Sequence, residues 1–393
     1  MDDEFGLNGA AQIKVVGVGG GGCNAVDRMI ANGVQGVEYI AMNTDVRALA
    51  KSQAPVRLQL GPMTTGGKGS GGRPDIGQAA AEESIEEITE LLQGADMVFV
   101  VAGMGGGSGT GASPLVAEAA QSVGALTVGN VTMPFSWEGQ RRKGLSSQGI
   151  KALKDHVDAL IAIPNDRLLA IVDEDIPLLK AFVLADEMLQ QGVGGIVGII
   201  DYTADINVDF NDVRETLSGA GSALLSIGVG RGPERARDAA EQAVYSSLLD
   251  RDIRGAKSVL LEVRGDPSMS LYELQAAADI ISDLADDDAS IIWGGGVDER
   301  LEDEMQIRLI AAGFDGDGQG PEGVVWDPDV QPVDDADADR PSWATFDIPT
   351  LTERRMGKGE RPAADRRGES DDRQSGISDF LMQGLRGGEK SGR

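Results

Sequence analysis

The chain has one cysteine and one histidine in 393 residues. A lone Cys23 excludes an intrachain disulfide and any multi-cysteine zinc site. A lone His156 excludes a multi-histidine metal centre. Chemistry therefore falls to carboxylates, backbone donors and any metal that a ligand brings with it. Aromatic residues make up only 4% of the chain, so its cores must be built from Val, Ile, Leu and Ala. No contiguous apolar run approaches the ~20 residues that span a bilayer, and the acidic start MDDEFGLNGAAQ lacks the basic and apolar regions of a secretory signal. The expectation is a cytoplasmic protein with no direct membrane insertion. Basic residues are also scarce, 35 Lys and Arg against 64 Asp and Glu, for a net charge of -29. Such a surface repels phosphate backbones and argues against a nucleic-acid partner.

Glycine, by contrast, is abundant and concentrated. Gly17–Asn24 (GVGGGGCN) follows the apolar run Ile13–Val16, and Gly103–Gly111 (GMGGGSGTG) follows Met97–Ala102. Each precedes helical apolar spacing: Ala25, Met29 and Ile30 after the first, Leu115, Val116 and Ala119 after the second. Strand, glycine turn and helix is the arrangement that aims backbone N–H groups and a helix N-terminus at phosphate. Glycine allows this because a Cβ would hold the backbone away from the phosphate oxygens. Ser108 and Thr110 add hydroxyl donors. One such loop is a weak signal; two suggest a polyphosphate gripped from two sides. Cys23 reads as a small filler within the first loop.

Other motifs cluster after strand-like runs. Gly66–Pro74 (GGKGSGGRP) carries Lys68 and Arg73 and can close over a terminal phosphate or form a surface loop. In Pro134–Arg142 (PFSWEGQRR), Glu138 suits ribose hydroxyls and Arg142, four residues on, suits phosphate; a surface ion pair between them is the alternative. Asn165 follows the run Ala159–Ile163. Phe182 and Asp186 lie one helical turn apart, a ring to stack on a base and a carboxylate to accept from guanine N1–H and its 2-amino group. Adenine lacks that pair of donors, which favours GTP. In Asn207–Asp212 (NVDFND), Asp209 and Asp212 can project to one side of a helix start, or Asp209 can cap that helix. Two carboxylates beside a triphosphate in the same subunit would repel it, so polarising water for a different subunit's nucleotide is the easier geometry.

Alternating strand and helix patterns over residues 12–172 predict a doubly wound parallel sheet, with strands at Ile13–Val18, Val37–Met42, Met97–Ala102, Leu126–Thr132 and Ala159–Ile163. Ligands on such sheets sit at the strands' carboxyl ends. Residues 173–201 read as one long helix, weakened at its end by Gly192, Gly194, Gly195 and Gly198. A smaller α+β domain is expected over 202–314, with helices near Asp212–Ser218, Glu234–Leu249 and Leu271–Asp283. Its strands are expected at Ser222–Val229, Ser258–Val263, Ser290–Gly294 and Met305–Ala311. Residues 1–11 read as flexible, 315–345 as a disordered linker and 346–393 as a charged tail with a short motif.

In this order, these motifs resemble FtsZ, the tubulin-like cell-division GTPase family. GVGGGGCN is similar to its first phosphate loop, Asn43–Asp45 to its second, GKGSGGRP to its third and AGMGGGSGTG to its tubulin signature. PFSWEGQRR, IPNDRLL, the AFVLAD helix and INVDFNDV follow as the family has them. The resemblance implies a tubulin-like GTPase domain joined by a central helix to a C-terminal domain, and head-to-tail protofilaments that form a ring at midcell. It implies GTP/GDP contacts from Gly20, Gly21, Gly22, Cys23, Asn24, Gly107, Ser108, Gly109, Thr110, Glu138, Arg142, Asn165, Phe182 and Asp186. Mg2+ would be held mainly by phosphates and water, with no dedicated protein ligands. Asn207, Asp209 and Asp212 would enter the next subunit's pocket as catalytic groups. Ser108 stands where the signature usually has threonine, and Arg73 where asparagine is usual. The tail segment FDIPTLTERR is similar to the family's adaptor-binding peptide but is interrupted by Leu351 and Thr352. Membrane-anchoring and regulatory division proteins are the implied partners there. Ile377, Phe380, Leu381 and Leu385 form a second small apolar face in the tail.

Two further readings remain open from the residues. Gly17-x-Gly19-x-x-Gly22 also fits a dinucleotide-binding oxidoreductase, and a filament that uses GTP without hydrolysing it would need the same loops.

Overall fold

Alternating residues of the central strands bury on opposite faces of a single sheet. The computed structural model describes residues 11–169, 177–200, 206, 208–246, 253–286 and 288–314. The first half comprises β1 (Ile13–Val18), α1 (Gly19–Ala31), β2 (Glu38–Asn43), α2 (Val46–Leu49), β3 (Val56–Gln59), α3 (Pro62–Thr65), α4 (Pro74–Glu83), α5 (Ile85–Leu92), β4 (Met97–Gly103), α6 (Ser108–Ser122), β5 (Leu126–Met133), α7 (Gln140–Lys154), β6 (Ala159–Pro164) and α8 (Asn165–Leu168). The second half comprises α9 (Leu178–Ile200), α10 (Phe210–Leu217), β7 (Gly221–Arg231), α11 (Arg235–Val244), β8 (Ser258–Gly265), α12 (Leu271–Ser282), β9 (Ser290–Val297) and β10 (Glu304–Ala312).

Among the described residues the strands run in the order β3-β2-β1-β4-β5-β6-β7-β10-β8-β9. From β3 to β6 every pairing is parallel. Val15, Met97, Phe99 and Val101 face α1 and α9, while Val16, Val18, Val98, Val100 and Ala102 face α4, α5, α6 and α7. Burial on both sides is what near-continuous Val/Ile runs require. This is the doubly wound, tubulin-like half. The second half is the mixed part: β10 runs antiparallel to β7 and β8, and β9 runs parallel to β8. β7 joins the halves, pairing with β6 over Ala159↔Gly221 to Ile161↔Ala223.

α9 persists to Ile200 despite its glycines. A Cβ at Gly192 would lie 2.7 Å from the Asn130 side chain, and one at Gly198 would lie 2.4 Å from Glu262. Two of the four glycines expected to weaken the helix, Gly192 and Gly198, instead let it lie close against β5 and β8. Leu179–Ile200 is also long and apolar enough to cross a membrane, although Lys180, Asp186 and Glu187 interrupt its apolar run. Its most apolar window is 72% buried within the protein, as befits a core helix.

Residues 1–10, the start of the expected central helix at 173–176, its last residue 201, the end of the helix expected to reach Leu249, the linker and the tail lie outside the described residues. So does Asn207.

Candidate functional site

Strand direction decides what meets what. β1, β2, β4, β5 and β6 are parallel, so the segments after them share one edge of the sheet. Those segments are Gly19–Asn24, Thr44–Asp45, Met104–Gly107, Pro134–Glu138 and Asn165.

The first glycine run is not a loop ahead of a helix, as the apolar spacing implied; Gly19 to Gly22 form the first turn of α1. No side chain caps that turn and no acidic residue lies in it, so its free N–H groups face the edge. The second run behaves alike: α6 starts at Ser108, again with no side-chain cap and no acid. The glycines divide into two kinds. A Cβ on Gly22 would lie 2.2 Å from the Val101 carbonyl, and one on Gly111 would lie 2.0 Å from that of Pro74. These are required by backbone packing. A Cβ on Gly20 or Gly106 would meet nothing within 4 Å. At Gly20, which is exposed and helical, nothing in the chain itself demands glycine.

Side chains in these runs are partly committed elsewhere. Cys23 is buried, its thiol directed to the carbonyls of Gly17 and Met42, and burial pushes it up to about 12. Any ligand contact from Cys23 falls to its backbone, whereas Asn24 stays exposed. Thr110, expected as a hydroxyl donor outward, is buried and accepts from the Gly105 N–H at 2.9 Å. It shapes the turn instead. Ser108 bonds to the hydroxyls of Thr44 and Ser70.

Glu138 accepts from the Phe135 N–H at 3.0 Å and pairs with Arg142, whose guanidinium is largely exposed. Asp166 in turn accepts from the Ser136 N–H at 2.8 Å, tying the segment after β5 to that after β6. Asn165 is buried, and among the described residues its Oδ1 has no hydrogen-bond partner. Phe182 is 38% exposed and meets Phe135 edge-on at 5.7 Å and Trp137 at 6.0 Å. The three rings form an aromatic wall beside Glu138. Asp186 sits one turn below, 3.3 Å from Arg28 of α1, and burial raises its carboxyl to about 6 against the pull of that arginine. Arg28 stands in no sequence motif, and although Thr44 and Ser70 lie within Asn43–Asp45 and GGKGSGGRP, no local spacing links any of the three to its partner. Arg73 turns to Asp75 at 2.5 Å and remains exposed.

Next to Asp186, Glu187 is 4% exposed and among the described residues its Oε2 has no partner. Burial raises its carboxyl to about 8; Arg28 opposes this and Asp186 adds to it. Because the folded value lies above the unfolded one, the stabilisation is full below the ordinary glutamate range and is lost as pH rises through about 8. Glu187→Gln is expected to leave Tm unchanged near pH 4 and to raise it near pH 9, by on the order of 3 kcal/mol of stability. Calorimetry of both proteins across that range checks the slope.

The acidic pair lies at the other edge. Asp209 occupies the N-cap position of α10 yet makes no side-chain cap bond, and Asp212 lies in the first turn. Both are exposed, and among the described residues neither carboxylate has a partner. Arg214 on the same helix donates to the Asp96 carbonyl at 2.9 Å and to that of Gly124 at 3.5 Å. Those residues precede β4 and β5. The Gly221 N–H, just after α10, bonds the Asp158 carbonyl ahead of β6 at 2.9 Å. α10 is therefore fixed at the strands' amino ends, about 20 Å of strand away from the glycine turns.

A parallel sheet with two glycine-opened helices at its carboxyl edge and a central helix leading to a mixed second half defines a tubulin-like GTPase fold. The Tubulin/FtsZ family GTPase domain matches residues 12–173, and the FtsZ family C-terminal domain matches residues 221–315. An FtsZ dimer from M. jannaschii superposes with a TM-score of 0.74 at 42% identity, over 77% of this chain and 88% of that one. CetZ2 from Haloferax volcanii, in a GTPgS-bound protofilament, superposes with a TM-score of 0.64 at 21% identity, over 76% and 92%. The latter likeness is one of fold. The chain belongs to the Tubulin/FtsZ family, whose GTPase domain binds GTP and GDP. The dinucleotide reading of Gly17-x-Gly19-x-x-Gly22 is left without support.

Proposed function

We propose that this chain is an assembly-dependent GTPase, which polymerises head to tail and hydrolyses GTP only where two copies meet. One observation carries the proposal: the uncapped glycine turns and the unpartnered Asp209/Asp212 pair lie at opposite edges of the same sheet. Within one molecule they are too far apart to act on one phosphate. Stacked edge to edge, each molecule brings its acids to the next one's triphosphate. The M. jannaschii FtsZ was solved as a dimer, which supports association of this chain with its own copies.

In this reading Gly20, Gly21, Gly22 and Asn24 on α1 and Gly107, Ser108 and Gly109 at α6 hold the phosphates through backbone and hydroxyl donors. Glu138 takes the ribose, and Arg142 faces phosphate or remains with Glu138. Phe182 stacks on the base while Asp186 and Asn165 read its guanine edge. Among the described residues no three His, Cys, Asp or Glu side chains gather as a metal cage. The backbone N–H and hydroxyl donors suit the phosphates, so a Mg2+ would enter with the nucleotide, held mainly by phosphate oxygens and water, and would neutralise developing charge on the phosphates. Asp209 and Asp212, with Asn207, orient the attacking water, which is positioning and electrostatics rather than covalent catalysis. Hydrolysis then removes contacts at the junction and favours release.

The cellular role proposed is the cytokinetic ring at midcell, built in the cytoplasm, with the tail recruiting membrane-anchoring and regulatory division proteins. Phosphate release per molecule should rise steeply above a threshold protein concentration, and filaments should appear in electron micrographs of the same samples. A rate per molecule that is constant across that range contradicts the proposal.

A further inference from the structure

Ser108, the first residue of α6, is half-exposed, and its hydroxyl is the meeting point of two others. Thr44 Oγ1 lies 2.6 Å away and Ser70 Oγ 3.0 Å. Thr44 is fully buried and Ser70 is 7% exposed. Among the described residues neither hydroxyl has another partner. Each of the three hydroxyls has one proton and two lone pairs. Two internal bonds use two protons, so one proton is left over.

Its location is decided by burial. If Ser108 donated to Thr44 or to Ser70, the spare proton would sit on one of these buried groups with no acceptor, which is costly. If both donate to Ser108, its two lone pairs are filled and its own proton is the free one, on the exposed member of the trio. Ser108 is then a donor with no accepting capacity left, which suits a phosphate oxygen and not a group that itself donates.

We propose that Ser70 and Thr44 are positioning residues that make Ser108 a one-way donor to a nucleotide phosphate oxygen, and that Ser70 thereby ties its glycine-rich loop to phosphate binding. The inference rests on the reading of the α6 N-terminus as a phosphate site. Packing supports the tie. The loop around Ser70 is pinned to the segment after β2 by the Gly69 N–H, which donates to the Thr44 carbonyl at 3.1 Å. A Cβ on Gly107 would lie 2.2 Å from Ser70 Oγ, so glycine there is what admits the Ser70 hydroxyl. The motif GGKGSGGRP thus contributes a hydroxyl through Ser108, besides any charge from Lys68 or Arg73.

The test is titration of the nucleotide-free, full-length chain with GDP, which avoids coupled hydrolysis, and with guanosine, which has no phosphate. Ser70→Ala and Thr44→Val are each expected to weaken GDP about fivefold and to leave guanosine unchanged. Ser108→Ala should weaken GDP at least as much, and adding Ser70→Ala to it should cost nothing further. A Ser70→Ala loss that persists undiminished without Ser108, or that extends equally to guanosine, marks a merely structural role and overturns the inference. So does unchanged GDP affinity in both Ser70→Ala and Thr44→Val when Ser108→Ala is impaired. If Ser108→Ala itself binds GDP normally, the phosphate reading of Ser108 fails, and the inference with it.

Discussion

Asp212→Ala is expected to lower steady-state GTP turnover by roughly 100-fold or more while leaving GTP affinity within about threefold of the parent. The separation follows from where α10 is held. Asp212 contributes only backbone groups to its own helix: its N–H bonds the Asp209 carbonyl at 3.0 Å and its carbonyl accepts from Thr216 at 2.8 Å. Alanine keeps both. The Arg214 anchors to Asp96 and Gly124 do not involve the Asp212 carboxylate either, so helix and fold should persist. Lost is an exposed carboxylate with no internal partner among the described residues. Turnover by radiolabelled phosphate release and affinity by titration separate the two effects. Loss of binding together with turnover would mean that α10 supports its own molecule's pocket.

The second large effect is a contrast between neighbouring glycines. Gly20→Ala should fold, with a Tm equal to or slightly above the parent's, because its Cβ meets nothing within 4 Å and alanine is the better helix former. Yet it should lose nucleotide affinity by tenfold or more, because the added methyl occupies the space left for a phosphate oxygen at the α1 N-terminus. Gly22→Ala should do the reverse in order of cause. Its Cβ would sit 2.2 Å from the Val101 carbonyl on β4, a central strand that cannot move aside. Destabilisation of about 3 kcal/mol or more is expected, read as a large fall in Tm or as insoluble protein. Thermal melts of both variants, followed by GDP titration of the folded one, check the contrast. Should Gly20→Ala bind normally, the α1 turn is not a phosphate site.

How far the sequence led depends on whether the signal was local. The apolar runs of β1, β2, β4, β5 and β6 were readable because both sheet faces are covered, and the glycine turns because they interrupt that pattern at strand ends. β3 (VRLQ) was not, being four residues long and only half-buried. The four-residue helices α2 and α3 carry too few turns for periodicity to register. The helical state of Gly19–Gly22 was hidden because glycine is a poor helix former and its placement here depends on close packing against β4. The same holds for Gly192 and Gly198, which look like helix breakers until Asn130 and Glu262 are seen beside them. At the site, Phe182, Asp186, Asn165 and Glu138 were legible through motifs. The Arg28–Asp186 pair and the Thr44–Ser108–Ser70 trio were not, since each joins segments far apart in the chain and no residue spacing encodes the contact. The seam at β7, where three residue pairs join the parallel and mixed parts, likewise appears only in the sheet.

Mixing the two inactive proteins tests the shared active site most directly. Asp212→Ala retains the nucleotide turns and lacks the acid; Gly20→Ala retains the acid and, at a GTP concentration that fills the parental turns but lies below its own weakened affinity, lacks the nucleotide. Each alone should release almost no phosphate. Combined at equal concentration above the assembly threshold, they should recover a readily measured fraction of parental turnover, because intact turns on one molecule then meet an intact Asp212 on its neighbour. A mixture no more active than its separate components would contradict the account.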